Sequence, residues 1–423
     1  MEILNKNYIL QQYLSKLQYI FLVLFVLCIP FQDCGLQGTL LRYFGVNLSN
    51  IPLMILIFIA CIKFLLGDKI REKNFIIYAG ITVYIVAYSL IILLVNIDKT
   101  EIAFYMYKVA SNTIIFIFWL FAYVYSEKYM NKLGKYIVIA NIINITGWVL
   151  CDFLKIDLGT MVHYRQGIEY NRFHGFSSET SLFSFMTIIL GTISIYHVKS
   201  KLLKIIFFVF NIMVTLFGGS KGILISVILG TIIYFLLSKK YMLGLKIIMI
   251  ICVLVIGLIS GYYLLMDAFL IDLEQYTSFA TRGSSILSTF YIISEYPFGT
   301  GFGIFLPVFK IVIVSAFDFF SSIISGYSLN FAEINEWISD SRGENATIKS
   351  IVFQFMAYFG IPFLALFVYY VRYTLKKVLN DEKYLWLFVF IVCGLMTFAG
   401  FSYDSIIALA FISYKINIKS NTN

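Results

Sequence analysis

The stretch NFIIYAGITVYIVAYSLIILLV (residues 74–95) decides the fold class of this chain. It carries no charged residue, and about 20 helical residues are enough to cross the hydrocarbon core of a bilayer. Similar runs recur, among them YIFLVLFVLCIP, PLMILIFIACIKFLLG and LGLKIIMIICVLVIGLISGYYLL. Apolar residues make up 60% of the 423 residues and charged residues only 13%, whereas soluble domains have about 25% charged residues. The sequence therefore predicts an all-α polytopic membrane protein.

Charges between the apolar runs predict the orientation. We expect about 12 transmembrane helices, the first of which is retained as a signal anchor. If the N-terminus is cytoplasmic, the cytoplasmic segments hold about 20 of the 32 Lys and Arg residues, which is the positive-inside pattern. Both termini are then cytoplasmic. The net charge of +9 belongs mostly to this face, so we expect no nucleic-acid partner.

This topology divides the chain into three parts. Residues 1–265 hold helices 1–9 and a smaller outer loop at residues 152–179. Residues 266–347 form one large extracytoplasmic loop, with nine acidic and three basic residues. Residues 348–423 hold helices 10–12 and the cytoplasmic tail.

The large loop contains an apolar run of its own, GIFLPVFKIVIVSAFDFFSSII (residues 303–324). If this run crossed the membrane, the Lys-rich segment after Arg372 would move to the outer face. We therefore predict a re-entrant or interfacial segment, interrupted at Pro307, Lys310 and Asp318.

Cysteine spacing predicts no metal site. Four of the six cysteines lie inside apolar runs, where they act as small core residues. Cys34 and Cys151 are predicted near the outer surface, and the sequence leaves open whether they pair.

The first candidate site is RFHGFSSETS (residues 172–181), at the outer edge of a predicted helix. Charged residues beside a bilayer are costly and therefore candidates for function. In one interpretation Ser177 or Ser178 caps the helix and Glu179 lies in its first turn. In the other, Arg172 and the helix amides form an anion site. His174 is a weaker candidate, since a lone histidine is more often structural.

The sequence GGSKG (residues 218–222) places Lys221 at the outer mouth of another helix. Its long side chain could simply extend toward the interface. Alternatively, the neighbouring glycines let the backbone approach a ligand closely, and Lys221 contacts a phosphate.

A third candidate is the arginine in TRGSSILSTFYIISEYPFGTGFGIF (residues 281–305). A helix is predicted from about Ser284 to Glu295, halted by Pro297 and the following glycines. Arg282 and Glu295 would be separated by about 20 Å of helical rise. We therefore assign Arg282 to the site and interpret Glu295 as a helix-end carboxylate.

The stretch FAEINEWISDSRGENATIKS (residues 331–350) precedes the next predicted helix. It fits a solvated acidic loop. It could instead supply a general base, with Glu344 as the candidate, while Trp337 or Tyr327 stacks on the face of a sugar.

Four stretches occur in a fixed order along the chain: RFHGFSSETS, GGSKG, the arginine segment RGSSILSTFYIISEYPFGTGFGIF, and YFGIPFLALFVYY (residues 358–370). This order resembles that of the O-antigen polymerase and ligase superfamily, which includes the Wzy-type polymerases. That family has a pattern similar to R-x-x-G-x-x-x-[ED], then S-R-G, then an arginine followed by a proline and glycine turn. The resemblance covers residues 172–363 and the overall topology.

The resemblance implies a GT-C-like, inverting glycosyltransferase that requires neither metal nor cofactor. Its donor would be a glycan on undecaprenyl diphosphate, and its acceptor a lipid-linked repeat unit. Cations would stabilise the charge that grows on the diphosphate leaving group. The resemblance implies the following diphosphate-binding residues: Arg172, Lys221 and Arg282, then Arg165 and Arg342. The implied catalytic residues are Glu179 or Glu344 as the base, together with Arg282; the sugar-binding candidates are Trp337, Tyr327 and His174.

This chain departs from the family pattern in two ways. Lys221 replaces the S-R-G arginine, which keeps the charge but loses the planar fork. Residues 266–347 contain no histidine, whereas ligases carry one at the end of this loop. The second difference favours a polymerase in the bacterial inner membrane, with its site facing the periplasm or exterior. A ligase and a flippase for lipid-linked sugars stay open as alternatives. Membrane lipids and a chain-length regulator protein are the other expected partners.

Overall fold

The computed structural model describes residues 2–32, 47–66, 73–96, 102–156, 173–177, 179–260, 262, 278–324, 329–340, 346–397 and 402–422. Every regular element in these ranges is helical, which confirms the all-α prediction. The α-helices are α1 (Glu2–Leu27), α2 (Asn50–Leu65), α3 (Lys73–Asn96), α4 (Ile102–Trp148), α5 (Thr180–His197), α6 (Lys201–Phe217), α7 (Lys221–Leu237), α8 (Leu243–Ser260), α9 (Ser278–Glu295), α10 (Gly301–Ile323), α11 (Ala332–Ser339), α12 (Ile351–Val378), α13 (Leu385–Thr397) and α14 (Tyr403–Thr422).

Six of these helices are long and apolar enough to cross a membrane: α1, α3, α4, α5, α10 and α12. Helices α2 and α7, and the stretch Leu243–Ile259 of α8, are shorter apolar helices of 10–17 residues. By length and composition the chain is therefore a multi-pass membrane protein. The count of 12 spans and the cytoplasmic location of both termini stay predictions.

Helix α4 differs from the expected pair of spans. It runs for 47 residues and continues as a short π-helix, Val149–Phe153. A cytoplasmic turn was expected near SEKYMNKLGK (residues 126–135), but these residues are helical. Lysine and glutamate are good helix formers, so this polar stretch marks a change in polarity without a break in the backbone.

Helix α10 corrects the expectation of an interrupted segment. Its 23 residues are continuous through Pro307, and it is among the helices that are long and apolar enough to cross a membrane. Proline removes one helical hydrogen bond. That loss is offset here because Phe305, Leu306 and Phe309 are buried on both sides of Pro307.

The chain forms two compact units. The first comprises Met1–Tyr78, Ile117–Leu224 and Ser402–Asn423. Within it α1 packs on α2, and α5 packs on both α6 and α14. In α5, 72% of the residues are buried, the largest share among the six helices that could cross a membrane. Gly191 allows this close packing, since a Cβ there would lie 2.3 Å from Oδ1 of Asn211 on α6.

The second unit comprises Ala79–Phe116 and Ile225–Phe401. Helix α9 packs on α10 and α12 around an aromatic core that includes Phe302, Phe305 and Phe359. In a separate contact, Ser238 Oγ donates to the Glu382 carboxylate at 2.5 Å, and the Lys239 N–H donates to it at 2.6 Å. This contact joins two segments that the charge pattern predicted on one face.

Glu382 stays ionised in this contact. Burial alone would raise its pKa, but the hydrogen bonds from Ser238 and Lys239 and the charge of Lys246 hold the pKa below its ordinary value. The contact is therefore maintained at neutral pH.

Candidate functional site

The described part of RFHGFSSETS is held by a buried carboxylate. Asp152 Oδ2 accepts hydrogen bonds from the backbone N–H groups of His174 (3.0 Å) and Gly175 (2.7 Å). Gly175 has φ +56°, and a Cβ there would lie 2.5 Å from the Phe183 ring. A carboxylate that accepts from two backbone N–H groups makes strong, charge-assisted bonds. Asp152 therefore fixes the backbone at the mouth of α5.

The same loop lies against the GGSKG segment. The backbone N–H of Phe173 donates to Gly218 O at 3.3 Å. Trp148 of α4 supports this junction, since its ring packs edge-on against Phe173 at 5.5 Å between centroids. Lys221 is the first residue of α7, three positions beyond Gly218. Two features that are distant in sequence thus meet within the first unit.

Glu179 is the residue at the N-cap of α5, where the sequence predicted Ser177 or Ser178. Its side chain makes no capping hydrogen bond and is exposed. Its carboxylate accepts only from the Ser181 hydroxyl, at 3.2 Å, among the hydrogen bonds that the structure records. The predicted cap residue was therefore wrong, and the Glu179 carboxylate does not accept a hydrogen bond from the amides at the start of α5.

His174 lies beside the start of α5. Its Nε2 is 3.3 Å from Thr180 Oγ1, and its side chain is half-buried. This hydrogen bond gives His174 a structural role in the loop. A sugar contact by this residue stays a prediction.

Asp404, in the first turn of α14, was not among the residues predicted from the sequence. It is only 1% exposed, and Gln32 Nε2 donates to its Oδ1 at 3.0 Å. The ring of the preceding Phe31 stacks on Phe176 at 4.7 Å, which brings Asp404 into the surroundings of the RFHGF loop. The available signal was a lone carboxylate at the edge of an apolar predicted span, which is rare and a candidate for function.

In the second unit the turn PFGTGFG (residues 297–303) contacts the stretch YFGIP (residues 358–362). Ile361 N donates to Pro297 O at 2.8 Å, and Thr300 N donates to Ala357 O at 3.0 Å. Between these bonds Gly360 has φ 60° and ψ −147°, which interrupts α12. The Tyr88 hydroxyl donates to Gly299 O at 2.8 Å. The broken backbone is thus satisfied inside the protein, as membrane proteins require.

Arg282 lies in α9 and is partly buried. Helix α9 spans Ser278–Glu295, which confirms the predicted end before Pro297, whereas its start lies six residues earlier than the predicted Ser284. Glu295 is its last residue and is exposed. Arg282 and Glu295 therefore stand at opposite ends of one helix, as the sequence predicted.

Trp337 is buried in the second unit, with 1% exposure. Its ring lies 5.8 Å from that of Phe309, and the Lys349 ammonium lies 5.3 Å from its centroid. Lys349 in turn forms an ion pair with Glu333 at 3.0 Å. Protein groups thus surround Trp337 here, and stacking on a sugar stays a prediction.

Several predicted site residues lie outside the described residues: Arg165, Arg172, Tyr327, Arg342 and Glu344. Their roles stay predictions. Among the residues that are described, no cluster of three or more His, Cys, Asp or Glu side chains could hold a metal ion.

Removing the Asp152 carboxylate should loosen the loop at the mouth of α5. We expect Asp152→Ala to lower the free energy of unfolding by about 2–4 kcal/mol, because one buried and one partly buried backbone N–H lose a carboxylate acceptor. Asp152→Asn keeps one acceptor oxygen and should cost less. Thermal unfolding of the purified protein measures both. Asp318→Ala, at an exposed position, is the control; an equal effect of both alanine variants would contradict the assigned role of Asp152.

The comparisons with known proteins give one distant relationship. No protein-family model matches the chain. A protein of Klebsiella pneumoniae, described as an uncharacterized 49.5 kDa protein in the cps region, is 24% identical over 407 residues. The alignment covers 93% of this chain and 91% of that protein, so the similarity extends through both units.

Proposed function

We propose that this chain is a membrane glycosyltransferase that polymerises polysaccharide repeat units of the O-antigen or capsule type. The relative in a cps, or capsule, region supports a role in polysaccharide biosynthesis. The hydrogen bond from Phe173 N–H to Gly218 O carries the proposal further. It joins the two sequences that the superfamily resemblance places in one site.

In the proposed reaction, a hydroxyl of the lipid-linked repeat unit attacks the anomeric carbon of the growing glycan. The new C–O bond forms as the bond to undecaprenyl diphosphate breaks, and the electron pair leaves on the diphosphate. A carboxylate accepts the hydroxyl proton. Glu179 suits this role because it is exposed and makes no capping bond; Glu344 is the other proposed base.

Cations would stabilise the leaving diphosphate, where negative charge increases in the transition state. Lys221 begins a helix, so its ammonium is accompanied by a helix N-terminus, which favours anions. The proposed diphosphate-binding residues are Arg165, Arg172, Lys221, Arg282 and Arg342. In this proposal the site faces the periplasm or the exterior of a bacterial cytoplasmic membrane.

Reconstitution tests the proposed reaction. The purified protein in liposomes, with its undecaprenyl-diphosphate-linked repeat unit and EDTA present, should produce a ladder of polymer lengths. A single transfer onto a lipid A core would indicate a ligase. Transport of the lipid-linked sugar without elongation would indicate a flippase. Either of these two outcomes, or a requirement for a divalent metal, would contradict the proposal.

A further inference from the structure

A cavity of about 660 Å³ lies in the first unit, at the opposite end of α5 from the RFHGF loop. Its walls come from Tyr19 of α1, from residues 131–139 of α4, and from His197 and Val198 at the end of α5. The proposed reaction uses none of these residues. The charge pattern predicts that this end of the unit is cytoplasmic.

Part of the cavity lining is cationic. Lys132 and Lys135 of α4 line it and are exposed. The Lys132 ammonium lies 5.9 Å from the Tyr19 ring centroid, and the Lys135 ammonium lies 4.7 Å from that of Tyr136. Such contacts hold a lysine weakly at an exposed site. The two charges are thereby placed beside the cavity and stay available to an anion.

The nearby carboxylate on α4 is engaged elsewhere. Glu127 Oε1 accepts from the Ser413 hydroxyl at 2.6 Å and from Asn417 Nδ2 at 2.9 Å, both on α14. Glu127 does not line the cavity. The charge lining the cavity is therefore positive.

His197 shapes the wall. Its Nδ1 lies 3.0 Å from Ile193 O. Because a carbonyl oxygen can only accept, Nδ1 is the donor, and this hydrogen bond holds the ring in place. The ring rests on Gly134, where a Cβ would lie 2.1 Å from Cδ2. The absence of a side chain at Gly134 therefore makes room for the ring. Asn131, three residues earlier on α4, adds an exposed amide to the cavity lining.

The cavity also has an apolar lining, which comes from Val138, Ile139 and Val198. Ile139 is 42% exposed, and Ile142, one turn further along α4, is 44% exposed. An apolar surface thus continues from the cavity along a helix that is long enough to cross a membrane. A free anion would not use this surface, whereas an acyl chain would.

We propose that this cavity binds the headgroup of an anionic phospholipid. Its phosphate lies between Lys132 and Lys135, and an acyl chain follows Ile139 and Ile142. Basic pockets between membrane helices are suited to such headgroups. Lysines alone would be expected at any cytoplasmic helix end; the cavity that joins them to an apolar surface is what indicates a lipid site.

The test measures binding to the purified full-length protein in detergent. The probes are short-chain phosphatidylglycerol, short-chain phosphatidylcholine and inorganic phosphate. Each is titrated into the protein, and its affinity is obtained from the shift in the thermal unfolding midpoint. We expect phosphatidylglycerol to bind most tightly. Lys132→Gln with Lys135→Gln should weaken it roughly 30-fold, the effect of losing two lysine contacts with an anionic lipid.

The double variant Lys201→Gln with Lys204→Gln is the matched control. Both residues stand at the start of α6, on the same predicted face, and do not line the cavity. This control should bind phosphatidylglycerol as the unmodified protein does. Equal loss in the two double variants would overturn the site. Phosphatidylcholine or inorganic phosphate binding as tightly as phosphatidylglycerol would overturn the assignment to an anionic lipid.

Discussion

Gly360→Ala should prevent the second unit from folding. A Cβ at residue 360 would lie 2.0 Å from Pro297 O and 2.6 Å from Gly299 N, and these are backbone atoms that cannot rotate away. The φ of 60° adds a conformational cost of about 1–3 kcal/mol for alanine. Together these effects exceed about 4 kcal/mol, which is an exceptional loss for a single substitution. We expect little monodisperse protein after extraction.

Gly80→Ala is the matched control for this variant. Gly80 also lies in a helix of the second unit, and a Cβ there would meet no atom within 4 Å. Alanine is favoured over glycine in a helix by about 1 kcal/mol, so this variant should be neutral or slightly stabilising. Size-exclusion profiles and unfolding midpoints of both variants give the comparison. A Gly360→Ala protein with the unmodified protein's midpoint would show that the interruption of α12 is dispensable.

The interruption at Gly360 also shows what could be predicted from sequence. The order PFGTGFG and then YFGIP marked two important segments. It could not show that Ile361 and Pro297, far apart in the chain, form a hydrogen bond. The sequence shows that both segments contain glycine. It does not show why, because the space for a side chain at Gly299 and at Gly360 is occupied by backbone atoms of the other segment.

The same distinction explains the failures and the successes along the chain. Hydropathy identified most helices because burial in lipid depends on composition, which is local. The breaks predicted at residues 126–135 and at Pro307, Lys310 and Asp318 were wrong, because these residues lie inside continuous helices. Hydropathy also missed Asp404, whose partner Gln32 is 372 residues away. Such a contact leaves no periodic signal in either segment.

Glu179 shows a subtler limit. The sequence SSETS contains four residues of types that commonly cap helices, and propensity cannot choose among them. The structure places the N-cap at Glu179, because the preceding loop is already fixed by Asp152 and by the turn from His174 O to Ser177 N. Tertiary contacts thus decide a boundary that local preference leaves open.

Arg282→Ala should reduce polymer synthesis by roughly 10²- to 10³-fold while the protein stays folded. Removing one group that stabilises charge in a transition state typically costs about 2.7–4 kcal/mol. Arg282 is only partly buried, whereas the adjacent Thr281, Ser284 and Ser285 are fully buried and maintain the packing of α9. The substitution should therefore remove charge without removing core. Polymer length and total polymer in the reconstituted assay measure the effect.

Two further variants separate a site role from a general loss of charge. Arg282→Lys keeps the positive charge but loses the planar fork that binds phosphate through two hydrogen bonds, so it should retain partial activity. Lys376→Ala removes an exposed cation from the last turn of α12, on the predicted cytoplasmic face, and should leave synthesis unchanged. Polymer at nearly the normal level from Arg282→Ala would remove Arg282 from the site. Equal losses from Arg282→Ala and Lys376→Ala would mean that overall charge, and no specific contact with the diphosphate, limits the reaction.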